Sequence, residues 1–280
     1  MQNSINDVLR FVKDRDNDVK FVRLAFCDRH GAPKNISVPP DVLSRAFNDG
    51  IPFEPGAIQG FGDGYERALL FPDASTLAIL PWRPQHGRVV RFYCDLKLPD
   101  GAPAPFDTRA ALRQVIAGSE IALNAEPEID FYLFRTGQDG EATEIPFDDG
   151  GYFDVFPRDM GENVRREICF HLGEMGIHPT SSHHARGPGQ NTITLSPTDL
   201  LTAADNLLTF RMTVGTVAGQ NGLAASFEPA PISGAAESFL KITLHSPKSE
   251  DGYTRIFSPS VNPYTTMEEM LRTATNWTAH

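Results

Sequence analysis

Apolar residues recur with the helical period in some segments and alternate with polar residues in others. The pattern therefore predicts a mixture of helices and strands. Ser4 begins a short amphipathic helix, and residues 19–28 have the apolar content of a strand. Further helices are predicted over 41–48, 108–117, 161–173, 199–217 and 267–277, and further strands over 36–38, 76–80, 89–96, 129–134, 191–195 and 239–245. The segment 247–265 is rich in Ser, Pro and Gly and is predicted to be a loop. Because no regular strand–helix–strand repeat is present, we expect an α+β protein with one domain over 1–100 and a second over 101–280.

The charge and the hydrophobic content of the chain limit the kinds of molecule that we expect it to bind. The formal net charge is −11 and 40% of the residues are hydrophobic. An acidic surface repels phosphate backbones and anionic lipids, so we expect neither nucleic acid nor membrane partners. No apolar run reaches the roughly 18 residues of a spanning helix, and the N-terminal residues lack the pattern of a signal peptide. Three widely spaced cysteines, Cys27, Cys94 and Cys169, indicate reduced thiols and a cytoplasmic location.

Three acidic residues alternate along one predicted strand. Glu126, Glu128 and Asp130 are spaced by two, so their side chains point to one face. Carboxylates so arranged repel one another unless a cation compensates, and a divalent-metal site is one explanation. The alternative is an edge strand with solvated acids. The apolar neighbours Ile129 and Phe131 favour the metal site, because they indicate a buried strand.

A histidine pair precedes a glycine-rich segment. His183 and His184 are followed by Gly187-Pro188-Gly189-Gln190, and the whole segment is predicted to be a loop. Adjacent side chains on a strand face opposite ways, so one packed and one exposed imidazole is the favoured interpretation. The chain contains no phosphate-binding GxxxxGK[ST] or GxGxxG motif and no GxSxG or HExxH motif.

A series of sequence landmarks, in one order, resembles the glutamine synthetase superfamily. VKFVRLAFCDRHGAPKNISVPP resembles the start of its β-grasp domain, and LLFPDASTLAILPWRP with FYCDLKLPDGAPAPFDTRAAL resembles the passage to its catalytic domain. EIDFYLF, DDGGYFDVFPRD, RREICFHLGEMGI, SHHARGPGQNTITL, LAASFEPAP and LHS then follow in family order. The resemblance implies a β-grasp-like N-terminal domain and an incomplete glutamine synthetase-type catalytic domain, a curved antiparallel sheet with helices. About the last third of a family member has no counterpart here.

The resemblance also implies a chemistry. In that family ATP phosphorylates glutamate, ammonia displaces the phosphate, and two Mg²⁺ or Mn²⁺ ions neutralise the transferring group. The β-grasp domain of a neighbouring subunit completes each site. Several residues match family positions: Asp28 at the ammonium site, Glu128 and Asp130 at metal positions, and His183, His184, Gly189 and Gln190 at substrate or nucleotide positions.

Other family positions have changed. Ala185 and Thr192 stand where the family has glutamates, Ala230 where it has a lysine, and Lys241 where it has a histidine. Each lost charge-assisted ligand removes about 1.5–3 kcal/mol, so we expect no bound metal and no cofactor. Lys241 is predicted to share a cavity with the remaining acids and to replace the metal cation. Truncating it should then destabilise the protein by a few kcal/mol.

Three functions remain open. The first is a metal-free paralogue that acts by binding, assembly or regulation. The second is an ATP-dependent ligase with residual or altered activity that joins glutamate to ammonia or an amine. The third is a structural fragment completed by a separate chain. The missing ligands favour the first and third. The expected partners are a second copy of the chain or a complementary glutamine synthetase-like chain, and an amino acid or a nucleotide is the small-molecule candidate.

Overall fold

The computed structural model describes residues 4–82, 86–247 and 249–277. The chain divides into two compact units, Met1–Ala117 and Gly118–His280. This division falls one helix after the boundary expected at residue 100, since the helix Thr108–Ala117 groups with the first unit.

The first unit is a β-grasp-like α+β unit built on a six-stranded sheet. Its elements are α1 (Ile5–Lys13), β1 (Val19–Cys27), β2 (Pro33–Val38), α2 (Leu43–Asp49), β3 (Ile51–Phe53), β4 (Ala68–Pro72), β5 (Ala78–Ile79), β6 (Arg88–Lys97) and α3 (Thr108–Ala117). The strand order is β2-β1-β6-β4-β3, with β5 paired to β6. Strands β1 and β6 run parallel, and the other pairs are antiparallel.

Local sequence explains the helices of this unit. Ser4 caps α1, because its side chain accepts a hydrogen bond from the Asp7 amide at 3.2 Å. Val8 and Val12 lie one turn apart on the buried face of α1 and join the core. Gly50 ends α2 with a φ of 74°, a conformation that glycine adopts without steric cost.

The second unit is a curled antiparallel sheet with helices. Its elements are β7 (Asn124–Thr136), β8 (Ala142–Pro146), α4 (Glu162–Glu174), β9 (Pro179–His184), β10 (Gln190–Leu195), β11 (Thr198–Asp199), α5 (Leu200–Gln220), β12 (Leu223–Ser226), β13 (Leu240–Ser246), β14 (Ser249–Phe257) and α6 (Pro263–Trp277). The strand order is β14-β13-β7-β10-β9, and β8, β11 and β12 also pair with β7.

Strand β7 has one apolar face and one polar face. Ile129, Phe131 and Leu133 are fully buried. The ring of Phe131 packs edge-on against Phe210 of α5, with the centroids 5.9 Å apart. The intervening acidic residues therefore project from the opposite face of the sheet, as the alternation predicts.

Three expectations from the sequence are wrong. The segment 247–265 is not a loop, because β14 pairs with β13 along most of its length and α6 begins at Pro263. The histidine pair does not lie in a loop either, since it ends β9 and pairs with β10. The predicted strand over 76–80 is reduced to Ala78–Ile79 after a single helical turn. Five further strands are additional to those predicted, namely β3, β4, β8, β11 and β12.

None of the described helices is both long enough and apolar enough to cross a membrane.

Candidate functional site

The acid-bearing face is the part of the β7–β10–β13 surface that carries Glu126, Glu128 and Asp130. Strand pairing places a different partner beside each carboxylate. Lys241 of β13 lies directly opposite Glu128, and their Nζ and Oε2 atoms are 3.0 Å apart. His245 Nε2 lies 2.8 Å from Glu126 Oε2. Two of the three acids of β7 therefore contact a basic side chain of β13.

The Lys241–Glu128 pair is partly open to solvent. The side chain of Lys241 is 43% exposed and that of Glu128 is 36% exposed. Solvent screens a pair of this exposure, so its contribution to stability is at most about 1 kcal/mol. The pair matters more for local charge, because it places an ammonium group against one of the two carboxylates at the predicted metal positions.

Asp130 is held by neutral donors. Its Oδ1 accepts a hydrogen bond from the Thr192 hydroxyl at 2.7 Å, and its Oδ2 accepts one from the Phe239 amide at 3.1 Å. Burial raises the pKa of Asp130 above its ordinary value. These two hydrogen bonds oppose the rise and nearby Glu128 adds to it. Burial thus makes the ionised form of Asp130 less favourable than in water.

The changed family positions offer no charge to the face. Thr192 lies opposite Asp130 on β10 and is buried, with its hydroxyl committed to that carboxylate. Ala185 is buried just after β9 and has only a methyl side chain. The ligand atoms that two glutamates would supply are therefore missing at these positions.

The two histidines of β9 have different environments. The ring of His183 is half-buried and meets the rings of Tyr152 and Phe153 edge-on, with centroids 5.6 and 4.7 Å away. Burial lowers the pKa of His183, although Glu128 opposes the shift. His184 is fully buried instead. One imidazole of the pair is packed, as expected, whereas the other is half-buried and not exposed.

His184 belongs to a buried hydrogen-bond network. Its Nε2 lies 2.9 Å from Asp148 Oδ1, and its Nδ1 lies 3.0 Å from the Ala185 carbonyl oxygen. Burial lowers the pKa of His184, but the bonds to Asp148 and to the Ala185 carbonyl, with the charges of Asp148 and Asp159, together outweigh burial and the net shift is upward. The pKa of Asp148 falls to about 2, because bonds from His184 and from the Gly189 and Met160 amides outweigh burial.

The same network contains a set of ligands that could bind a metal. Within the described part of the chain, Asp148, Asp159 and His184 have ligand atoms within 4.8 Å of one another. However, Arg165 bonds to both carboxylate oxygens of Asp159, at 3.0 and 2.6 Å. Asp148 is occupied by backbone amides and His184. The arrangement is that of a saturated structural network, because a cation would have to displace these donors.

Gly189 and Gln190 also have structural roles. Gly189 has a φ of 67°, and a Cβ atom there would lie 2.6 Å from the Leu133 carbonyl oxygen. The side-chain amide of Gln190 donates to the Glu237 carbonyl at 3.1 Å and to the Ser238 hydroxyl at 3.0 Å. Ligand binding by these two residues stays a prediction.

Asp28 lies at the turn between β1 and β2 and is mostly buried. It accepts hydrogen bonds from the His30 and Ala32 amides at 2.9 and 3.0 Å, and it pairs with Lys34 at 3.2 Å. Burial raises its pKa, but these contacts outweigh burial and lower it overall. Asp28 is therefore an ionised group that has partners within its own hairpin. A role at an ammonium site stays a prediction.

Two contacts between side chains of the acid-bearing face were not predicted from the sequence. These are the Glu126–His245 pair and the Thr192–Asp130 hydrogen bond. The spacing by two of Lys241, Thr243 and His245 shows that they share a face. The register between β13 and β7 places Lys241 opposite Glu128. His245 lies opposite Asn124 in the same register and reaches Glu126 diagonally.

Comparison with known proteins identifies the relatives of both units. A family model for the glutamine synthetase β-grasp domain matches residues 18–99, and a model for the glutamine synthetase catalytic domain matches residues 106–242. The glutamine synthetase of Clostridium saccharobutylicum is 39% identical over 242 residues, which are 85% of this chain and 54% of that protein. The glutamine synthetase of Methanosarcina mazei is 39% identical over 259 residues, 90% of this chain and 57% of that protein.

Solved structures agree on the fold. A Plasmodium falciparum glutamine synthetase superposes with a TM-score of 0.77 at 18% identity, covering 89% of this chain and 55% of that one. A GmaS structure in complex with ADP superposes with a TM-score of 0.75 at 25% identity, covering 88% and 57%. The chain spans about half the length of the curated relatives it matches. With both family models matched in their order along the chain, this protein belongs to the glutamine synthetase superfamily.

Proposed function

We propose that this chain is a glutamine synthetase-like paralogue that lacks metal-dependent ligase activity and acts by binding, assembly or regulation. The observation that carries the proposal is the Lys241–Glu128 contact of 3.0 Å. The family resemblance places a metal-binding histidine at Lys241 and a metal carboxylate at Glu128. An ammonium group here satisfies the acid without an ion.

The donor set of the acid-bearing face does not fit a pair of divalent metals. Mg²⁺ needs several oxygen ligands in near-octahedral geometry. Here Glu128 contacts Lys241, and both oxygens of Asp130 accept hydrogen bonds. Thr192 and Ala185 bring no negative charge. A metal next to the Lys241 ammonium group would also be repelled by it.

Assembly is the form of action that we favour. One edge of the second sheet is β14, which pairs only with β13 among the described strands. An exposed strand edge presents backbone donors and acceptors that another chain can pair with. We therefore propose a homo-oligomer or a complex with a complementary glutamine synthetase-like chain. Such a protein would act in the cytoplasm.

The second candidate is an ATP-dependent ligase with residual or altered activity toward glutamate and ammonia or an amine. The names of the relatives favour it, and so does the ADP bound to GmaS. The retained carboxylates Asp28, Glu128 and Asp130 favour it as well.

Turnover with glutamate, ATP and either Mg²⁺ or Mn²⁺ separates the two candidates. Ammonia and methylamine should be tested in parallel, with an active glutamine synthetase as the positive control. We expect no phosphate release above the no-enzyme rate. Release that depends on glutamate, and that Glu128→Gln abolishes, would overturn the proposal in favour of the ligase.

A further inference from the structure

The first unit contains a pocket that none of the family positions discussed above lines. Its volume is about 410 Å³, within the usual range for small-molecule sites. Three segments line it: the turn after β1 at Arg29, the glycine-rich loop 60–65, and the start of α3.

One wall of the pocket is aromatic and rigid. The ring of Phe106 meets the rings of Phe61 and Tyr65, with centroids 4.9 and 5.4 Å away. Phe61 is 1% exposed, so it anchors the loop to the core. Gly62 fixes the loop conformation, because it has a φ of 66° and a Cβ atom there would lie 2.5 Å from Pro55 Cβ. The aromatic wall is therefore in place before any ligand binds, and it can pack against an apolar group of a ligand.

The polar groups of the pocket carry both signs of charge. Arg29 donates from Nη1 to the Gly60 carbonyl at 3.4 Å, and its guanidinium group has five N–H donors in all. Asp63 is exposed at the loop, and Asp107 is buried at the start of α3. The Asp107 carboxylate accepts hydrogen bonds from the Leu96 amide at 2.6 Å and the Arg109 amide at 3.0 Å. Its position is therefore fixed by the fold.

A guanidinium group, two carboxylates and an aromatic wall together fit a zwitterion with an apolar body. Guanidinium binds carboxylate in a planar, two-pronged geometry. An ammonium group gains from a nearby carboxylate and from the face of an aromatic ring. We propose that this pocket binds a small α-amino acid with an apolar side chain. Its carboxylate would lie toward Arg29, its ammonium group toward Asp63 and Asp107, and its side chain against Phe106.

This inference is independent of the metal question, since every lining residue belongs to the first unit. Calorimetric titration of the full chain with L-leucine tests it directly. Two analogues isolate the charges: 3-methylbutylamine lacks the carboxylate and 4-methylpentanoate lacks the ammonium group. We expect L-leucine to bind and each analogue to bind at least about tenfold more weakly, as expected for the loss of a charge-assisted contact.

Variants locate the binding. Arg29→Gln and Asp63→Asn should each weaken L-leucine binding by about tenfold or more, and Ala111→Phe should abolish it by filling the pocket. Arg67→Gln and Asp49→Asn are matched controls outside the pocket and should bind like the wild type. Thermal melts check that each variant is folded. The proposal is overturned if about 10 mM L-leucine produces no binding heat, if both analogues bind as well as L-leucine, or if Ala111→Phe binds normally.

Discussion

At the scale of single residues, each acid of the acid-bearing face has a different partner for its carboxylate. Glu128 has an ammonium partner, Glu126 has an imidazole partner, and Asp130 has a hydroxyl and an amide. The sequence identified the three acids as a set. It could not show that they are compensated one by one, because that depends on strand register.

Exposure corrects the expected strength of the Lys241–Glu128 pair. The sequence alone suggested a partly buried pair and a loss of a few kcal/mol on truncation. With side chains 43% and 36% exposed, Lys241→Met should lower the free energy of unfolding by at most about 1 kcal/mol. Urea denaturation of Lys241→Met, Glu128→Gln and the double variant measures the coupling energy. A coupling above about 2 kcal/mol would show that the pair is effectively buried.

Asp107 should make stability depend on pH. Burial raises its pKa to about 6, although bonds from the Leu96 and Ala110 amides oppose the rise. The folded protein therefore holds this proton more tightly than the unfolded chain, whose Asp pKa is about 3.8. The contribution of Asp107 to stability is complete below about pH 4 and declines as pH rises through 6, by about 3 kcal/mol in all.

The matched variant is Asp107→Asn, which cannot ionise but can still accept a bond at the start of α3. Between pH 4 and 7, the wild type should lose about 3 kcal/mol of unfolding free energy relative to this variant. Urea denaturation at each pH gives the difference directly. A difference that stays constant across this range would contradict the raised pKa.

At the scale of elements, prediction succeeded where apolar periodicity was strong and failed where pairing decided the structure. Helices α3, α4 and α5 were placed within a few residues of their observed ends. Strand β14 was missed because Ser, Asp and Gly indicated turns, whereas its register with β13 makes it a strand. Strand β9 was missed for a related reason, because its residues, Pro179–His184, are polar and acquire their pairing from β10.

Asp148 joins several of these elements and should be important for stability. Its carboxylate accepts hydrogen bonds from the Gly189 and Met160 amides and contacts the His184 ring. Asp148→Ala leaves these buried donors without their acceptor, and we expect a loss of about 3–5 kcal/mol. Asp149→Ala is the control, since Asp149 is exposed and its removal should change stability by less than about 0.5 kcal/mol. Equal losses in the two variants, measured by urea denaturation, would refute the structural role of Asp148.

At the scale of the whole molecule, the fold prediction depended on the sequence landmarks, which occur in the same order as in the glutamine synthetase superfamily. The landmarks run from the β-grasp start to the region of β13, and the two family models match 18–99 and 106–242. The resemblance puts the chemical divergence at a few side chains, within a fold that the solved structures share. That is why the fold was predictable from sequence while the state of the acid-bearing face required the contacts between β7, β10 and β13.

In the function that we propose, Lys241 and Thr192 stand in place of metal-binding groups. The most direct measurement is the melting temperature with and without about 5 mM Mn²⁺, for the wild type and for the double variant Thr192→Glu/Lys241→His. A ligand raises the melting temperature only if it binds the folded state. The wild type should not respond to Mn²⁺, whereas the variant should melt earlier without metal, because its acids repel, and should recover with it. A rise of several degrees in the wild type would contradict this replacement of the metal-binding groups and favour the ligase.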